Sequence, residues 1–323
     1  MRKFVKQWIS IILSVLLVFC ALAAAAEETE WSAQAWDAFD RQDYETSLRY
    51  FRIGADEGNQ YAQYMAACHY YFGFGTEVDY VKAAEYCRLS AEQGLAASQG
   101  MLANLYSNGT GVEQDYVKAA EYYRLAADAG DVDSQFNLGW MYYSGAGVEQ
   151  DYSKAMEYFR MGADQGDADS QTFMGHLYCN GLGVEQDYEK AFEYYLLATD
   201  QGDASAQACL GSLYEFGTGV EQSDETALTY FRLSAEQDNS VGQFFMGQAY
   251  QFGIGVEIDY LKAAEYYQLS ADQGDPDGLE CLGYLYLEGL GVEQSTEKAI
   301  ELYHLAAEGG SEEAQNQLLL LGE

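Results

Sequence analysis

Residues 144–160, SGAGVEQDYSKAMEYFR, combine a Gly-x-Gly pair, several acidic residues and an aromatic pair. Each of these features also occurs in phosphate-binding or metal-binding loops. A loop that binds one ligand has no reason to recur at a fixed period, whereas a loop that joins two helices of a stacked unit must recur in every unit. The second glycine recurs every 36 residues, at Gly75, Gly111, Gly147, Gly183, Gly219, Gly255 and Gly291. The stretch therefore predicts a structural repeat.

The unit is clearest in residues 131–166. Asp131 can cap a first helix, VDSQFNLGWMYYS, whose apolar residues follow helical spacing. Gly145 and Gly147 end this helix, because glycine adopts the left-handed conformation at little cost. Asp151 caps the second helix, YSKAMEYFRMGADQ, and Gly166 closes it. Each unit is thus predicted to be an αα-hairpin.

Glycines recur where backbone approaches backbone. Gly139 and Gly175 occupy equivalent positions in the first helix, and Gly147 and Gly183 do so in the loop. We assign structural roles to these four glycines. A lone hairpin cannot bury both of its faces, whereas stacked hairpins bury them continuously. The sequence therefore predicts an all-α array of stacked αα-hairpins with a period of 36 residues.

Residues 1–26 differ from the repeats. Three basic residues precede an apolar run that ends in ALAAAA. This order is typical of a signal peptide, with Glu27 as the first mature residue. The alternative is an uncleaved membrane anchor, although the run is short for a membrane span. We expect an exported protein, periplasmic or secreted, that meets the membrane only transiently through this segment.

The chain is strongly acidic. Its 52 acidic and 16 basic residues give a net charge of −36, and residues 27–323 carry 52 acidic and 13 basic residues, a net charge of −39. Such a surface repels nucleic acid and anionic lipid and favours cationic partners. Solubility alone would also account for the charge. We expect a protein or peptide partner with a basic face and no nucleic acid.

The unit LGxxYxxGxGVxxDYxKAxEYYxxAAxxGD resembles the Sel-one-like repeat (SLR), a subfamily of tetratricopeptide-like repeats. The resemblance implies a right-handed α-solenoid whose concave face is lined by the first helices. It also implies a scaffold or adaptor role; exported bacterial members are associated with envelope regulation, signalling and host interaction. We divide the chain into a signal peptide (1–26), an atypical capping helix pair (27–59), seven repeats (60–314) and a closing helix (315–323).

Catalytic patterns are not evident in the sequence. His69, His176 and His304 fall in the first, fourth and seventh repeats, too far apart along such an array to share a metal. We therefore predict no catalytic residue, metal or cofactor. One alternative is a cell-wall or β-lactam-acting enzyme, as reported for a cysteine-rich branch of the family. That branch carries paired cysteines where this chain has Ala127 and Gln135, which weakens the comparison.

Three positions of the first helix vary from repeat to repeat while their neighbours stay constant. They are four and three residues apart, so we expect them on one helical face, which the family architecture places along the concave groove. Exposed aromatic residues in a groove commonly anchor peptides. The alternative is that Trp140 and Tyr143 pack against their own neighbours. The candidate partner-binding residues are Tyr64, Phe136, Trp140, Tyr143, His176, Phe244, Gln248 and Tyr284.

Overall fold

The computed structural model describes residues 30–323, and every regular element in that range is an α-helix. The range holds seventeen helices and no strand, which confirms the all-α prediction. The chain divides into two compact units, one ending at Gly162 and the other comprising residues 163–323. The predicted signal peptide, residues 1–26, lies outside the described residues.

Helices alternate along each unit between a first helix, called here the A-helix (odd numbers), and a second, the B-helix (even numbers). The first unit holds α1 (Glu30–Asp40), α2 (Tyr44–Asp56), α3 (Gln60–Phe72), α4 (Tyr80–Ala91), α5 (Ala96–Asn108), α6 (Tyr116–Asp128), α7 (Val132–Ser144) and most of α8 (Tyr152–Asp164). The second unit holds α9 (Ala168–Asn180), α10 (Tyr188–Asp200), α11 (Ala204–Phe216), α12 (Asp224–Ala235), α13 (Ser240–Phe252), α14 (Tyr260–Ala271), α15 (Pro276–Glu288), α16 (Thr296–Glu308) and α17 (Glu312–Leu321).

Within each unit, an A-helix packs against the B-helix of its own hairpin and against the B-helix before it. We number the repeats from residue 60 in steps of 36, so that repeat 1 is residues 60–95 and repeat 6 is residues 240–275. The result is a stack of helical hairpins with a period of about 36 residues.

The helix boundaries follow the predicted caps. Asp131 accepts a hydrogen bond from the Ser134 N–H, with 3.0 Å between nitrogen and oxygen. Asp151 accepts one from the Lys154 N–H, also at 3.0 Å. Gly145 ends α7 in the left-handed region at φ 76°. These local signals set where each helix begins and ends, because they satisfy backbone groups that the helix leaves unpaired.

The second loop glycine is required by a close approach between repeats. Gly147 has φ 73°, and a Cβ atom there would overlap the main-chain carbonyl of Tyr116, the first residue of the preceding B-helix. Gly111 lies in the same way against the carbonyl of Tyr80. A side chain at these positions would separate neighbouring hairpins, which explains why the glycine recurs every 36 residues.

At a glycine within the A-helix, an aromatic ring of the B-helix packs against the A-helix backbone. A Cβ atom on Gly139 would lie 2.8 Å from the Phe159 ring, which is below a normal carbon–carbon contact. A Cβ atom on Gly175 would come even closer to the ring of Tyr195. Phe159 and Tyr195 are almost wholly buried. The glycine therefore lets a large aromatic core side chain of these repeats pack directly against a helix backbone.

The motif DYxKAxEYY of the B-helix contacts a tyrosine of the A-helix in the same repeat. In repeat 3 the rings of Tyr142 and Tyr158 stack with centroids 5.9 Å apart. Lys154 places its Nζ 5.1 Å from the Tyr142 centroid and 3.4 Å from an Asp151 oxygen. Within residues 144–160, Asp151 thus caps α8 and pairs with Lys154, and the aromatic pair Tyr158 and Phe159 packs against α7.

Candidate partner-binding surface

On α7 the three candidates differ in how far they reach solvent. Trp140 is 44% exposed. Tyr143 makes an edge contact with the Tyr152 ring, with centroids 5.4 Å apart, and Phe136 lies tilted on Phe159 at 5.7 Å. Trp140 is therefore the open residue of this group, whereas Phe136 and Tyr143 are partly covered by their own hairpin.

Tyr64 lies inside the protein. Its side chain is 7% exposed and packs in a core cluster with Trp31 and Phe51. At the equivalent position, Thr172 is also buried and donates from Oγ1 to Asp203, 3.0 Å away at the start of the next A-helix. The expectation that Tyr64 faces a partner is wrong, because its side chain packs against the preceding hairpin.

In the second unit Tyr284 is the most open candidate, at 43% exposure. Phe244 and Gln248 are half-buried, and the Phe244 ring contacts Phe245 with centroids 5.2 Å apart. His176 is also half-buried, with its Nδ1 3.1 Å from the Tyr195 hydroxyl. Burial lowers the pKa of His176, and nearby Asp203 opposes that shift.

Part of the variation on this face has a packing cause. The Tyr123 hydroxyl donates to Asn104 Oδ1 at 2.6 Å, and the Tyr267 hydroxyl donates to Gln251 Oε1 at 2.6 Å. A buried hydroxyl without a partner would cost about 1–3 kcal/mol, so these A-helix residues must be polar. Repeat 3 has Phe159 at the tyrosine position, and Trp140 there has no such hydroxyl to satisfy. The variable face thus does have a packing pattern, which the sequence analysis did not identify.

His69 serves the core of the first unit. It is fully buried, and Nδ1 lies 2.8 Å from the Phe74 carbonyl oxygen, the geometry of an N–H donor. Burial lowers the pKa of His69 to about 4, against the opposing effect of that hydrogen bond. His304 is exposed on α16.

Charge separates the two kinds of helix. Among the described residues, every lysine and all but one arginine lie on B-helices; the exception, Arg41, is in the loop after α1. The A-helices in that range carry no lysine or arginine, whereas Glu215, Glu280 and Glu288 are among their acids. An A-helix face of this kind offers no positive charge of its own to a bound segment.

Two exposed aromatic residues were missed by the sequence analysis. Phe216 and Phe252 end α11 and α13 and are 68% and 61% exposed, more than any other aromatic side chain described. Most other repeats have a polar residue there: Asn108, Ser144, Asn180 and Glu288. An apolar residue at a position that is otherwise polar was the available signal.

Within residues 30–323, no helix is long and apolar enough to cross a membrane. In the same range, no three His, Cys, Asp or Glu side chains group as a metal ion would require. The five cysteines found there are unpaired, and Cys68 and Cys87 are buried.

A family model described as the Sel1 repeat matches most of the chain, so the protein belongs to the Sel1-repeat family. Proteins with this fold are generally protein-interaction scaffolds. The matched segments are residues 39–59, 60–95, 96–131, 132–167, 168–203, 204–239, 240–275 and 282–311.

Solved structures of similar proteins agree with this assignment. A protective antigen of uropathogenic Escherichia coli with an SLR fold is 35% identical with a TM-score of 0.62; the match covers 84% of this chain and 66% of that one. A Sel1 repeat protein from Oxalobacter formigenes is 27% identical with a TM-score of 0.67, covering 93% of this chain and 92% of that one. Cysteine-rich protein B of Helicobacter pylori is 27% identical but covers 41% of this chain and 96% of its own, with a TM-score of 0.34. A search of curated proteins found no significant match.

Proposed function

We propose that the protein is an exported bacterial scaffold that binds a protein or peptide partner along the exposed face of its A-helices. The observation that carries the proposal is Trp140, a large aromatic side chain that is 44% exposed on a face without lysine or arginine. An exposed aromatic ring does not contribute the stabilising free energy that its burial would give. Aromatic residues of this kind are enriched among the residues that dominate binding energy.

The partner proposed here is a protein or peptide with a basic face. The A-helices supply acids and aromatic rings, and the net charge of residues 27–323 is −39. Roles in envelope regulation, signalling or host interaction are the roles that the family resemblance suggests. The enzymatic alternative has no supporting observation among residues 30–323.

A photo-crosslinking residue placed at Trp140 in the producing bacterium tests this proposal. A crosslinked protein adduct is expected at that position and not at Leu125, which is 48% exposed on a B-helix and is the matched control. Trp140→Ala should abolish co-purification of the crosslinked partner protein. The circular dichroism spectrum of this variant should show the same helix content as the native protein. Equal crosslinking at Leu125, or full co-purification with Trp140→Ala, would contradict binding on the A-helix face.

Export is tested separately. The sequence ALAAAA before Glu27 predicts a mature N-terminus at that residue. Mass spectrometry of the protein recovered from the cell envelope should find Glu27 first. An N-terminus at Met1 in that fraction would contradict cleavage.

A further inference from the structure

A second surface lies at the ends of two neighbouring A-helices in the second unit. Phe216 and Phe252 are the last residues of α11 and α13, and these two helices contact each other directly. The two aromatic side chains therefore project from the same end of adjacent helices. They are 68% and 61% exposed, whereas phenylalanine in this protein's core, such as Phe231, is almost wholly buried.

Ile258 extends this apolar area at the cost of a hydrogen bond. Five other repeats have glutamine at its position, and the side chain donates to a carbonyl near the end of the A-helix; Gln222 does so to Glu215, and Gln294 to Leu287, at 2.9 and 2.8 Å. Isoleucine cannot donate and is 57% exposed. A Cβ atom on Gly253 would lie 3.0 Å from Ile258 Cγ1, so the isoleucine sits beside the residue that follows Phe252.

The charges around these three side chains are mostly negative. Residues 213–226 and 249–261, which contain the two helix ends and their loops, carry six acids and no lysine, arginine or histidine. The first cation beyond them, Lys262, places its Nζ 3.7 Å from an Asp259 oxygen, so one of the six acids already has a partner in the chain. Thr226 also replaces the lysine that the six other repeats have at this position. The six acids are Glu215, Glu221, Asp224, Glu225, Glu257 and Asp259.

Glu215 and Asp224 replace a packed aromatic pair. Their equivalents in repeat 1, Tyr71 and Tyr80, are in edge contact with ring centroids 5.3 Å apart. Glu215 Oε2 is buried and no protein group donates to it. Burial, and then the charge of Asp224, raises the pKa of Glu215. A cationic side chain would relieve this arrangement, because it would pair with both carboxylates and supply the missing donor.

We propose that Phe216, Phe252 and Ile258, here called the loop surface, dock a cationic peptide segment of a partner protein, whose apolar side chains cover these three residues while a lysine or arginine pairs with Glu215 and Asp224. This surface belongs to the second unit, whereas Trp140 belongs to the first. Charge complementarity selects the occupant: the six acids favour a basic segment and oppose an anionic lipid surface.

The test uses the whole protein and a fluorescent peptide of about twelve residues in which lysine and leucine alternate, at about 0.15 M salt to limit nonspecific attraction. The variant Phe216→Asn, Phe252→Asn and Ile258→Gln gives repeats 5 and 6 residues that other repeats already have, so it should keep the fold. We expect it to bind the peptide at least about tenfold more weakly than the native protein. Val78→Gln makes the matched change in repeat 1 and should leave the affinity unchanged.

Charge and occupant are tested in the same assay. Glu215→Gln together with Asp224→Asn should weaken binding of the lysine–leucine peptide. A glutamine–leucine peptide should bind the native protein more weakly than the lysine–leucine peptide does. Native affinity in the triple variant, no binding by the native protein, or equal binding of both peptides would overturn the proposal. Binding to phosphatidylcholine vesicles that the triple variant loses would also overturn it, in favour of a lipid surface. Trp140→Ala should not change peptide binding, which keeps this result distinct from the test of the A-helix face.

Discussion

Repeats 1 and 6 share a departure from the other repeats, yet the structure uses it in opposite ways. Both end the A-helix in phenylalanine, Phe72 or Phe252, as repeat 5 also does with Phe216. These two repeats alone replace the loop glutamine with an aliphatic residue, Val78 or Ile258. Phe72 is half-buried against Tyr71 and Phe74, with centroids 4.9 and 5.5 Å apart. Phe252 is 61% exposed.

The difference originates in the preceding hairpin. Phe74 stacks on Tyr44, the first residue of α2, with centroids 5.2 Å apart. The equivalent pair in the second unit is Ile254 and Asp224, which cannot form a ring contact. An apolar loop is therefore completed by an aromatic residue at the start of the preceding B-helix, and it stays open where that residue is acidic. The aromatic residues that cover Phe72 in repeat 1 are therefore absent around Phe252, which leaves that ring open as a candidate binding surface.

The largest effect is expected from acid, through His69 in repeat 1. Its pKa is about 4 in the folded protein and about 6.5 when unfolded, so the unfolded state binds more protons between these values. The free energy of unfolding should therefore fall as pH drops from about 6.5 to 4, by about 3 kcal/mol from this group. Urea denaturation at several pH values measures the change.

The matched control is His69→Leu, because leucine stands at this position in repeats 2, 4, 5 and 7. The variant removes the titrating group, so its stability should depend on pH less steeply than that of the native protein across this range. Repeat 6 has Ala249 at the same position. Parallel pH profiles for the native protein and the variant would show that His69 is not held neutral by burial.

Much of the fold could be predicted from the sequence because its signals are local. The caps at Asp131 and Asp151 and the left-handed Gly145 depend on residues within one hairpin. The surface was harder to predict, because the burial of Tyr64 and the openness of Phe252 depend on the hairpin before or after. The A-helix position that accepts the hydrogen bond of a buried tyrosine also differs between repeats. In repeat 2 the acceptor is Asn104. In repeat 6 it is Gln251, which lies three residues further along the A-helix than the equivalent of Asn104.

An intermediate effect is expected from exchanging the two phenylalanines for asparagine. Phe72→Asn removes a ring from an aromatic cluster and should lower the free energy of unfolding by about 1–2 kcal/mol. Phe252→Asn removes an exposed ring and should change it by less than about 0.5 kcal/mol. Urea denaturation of the two variants compares them directly. Equal losses would mean that the two helix ends are packed alike.

The smallest effect is expected from restoring the loop glutamine. Ile258→Gln should regain a side-chain hydrogen bond to the carbonyl of Gln251 and raise the free energy of unfolding by about 0.5–1 kcal/mol. Val78→Gln should do the same through the carbonyl of Tyr71. Thermal denaturation can resolve the two changes. A loss of stability in Ile258→Gln would show that the isoleucine is needed for packing and would remove it from the loop surface.

The most direct test of the central claim, that the aromatic residues of repeats 5 and 6 are open for binding while those of repeat 1 are packed, is hydroxyl-radical footprinting of the native protein read by mass spectrometry. Phe216 and Phe252 should be modified several-fold faster than Phe72 and Phe74, and the lysine–leucine peptide should slow the modification of the first pair alone. Similar rates for all four phenylalanines would contradict the account. So would a peptide that protects other residues but leaves the modification rates of Phe216 and Phe252 unchanged.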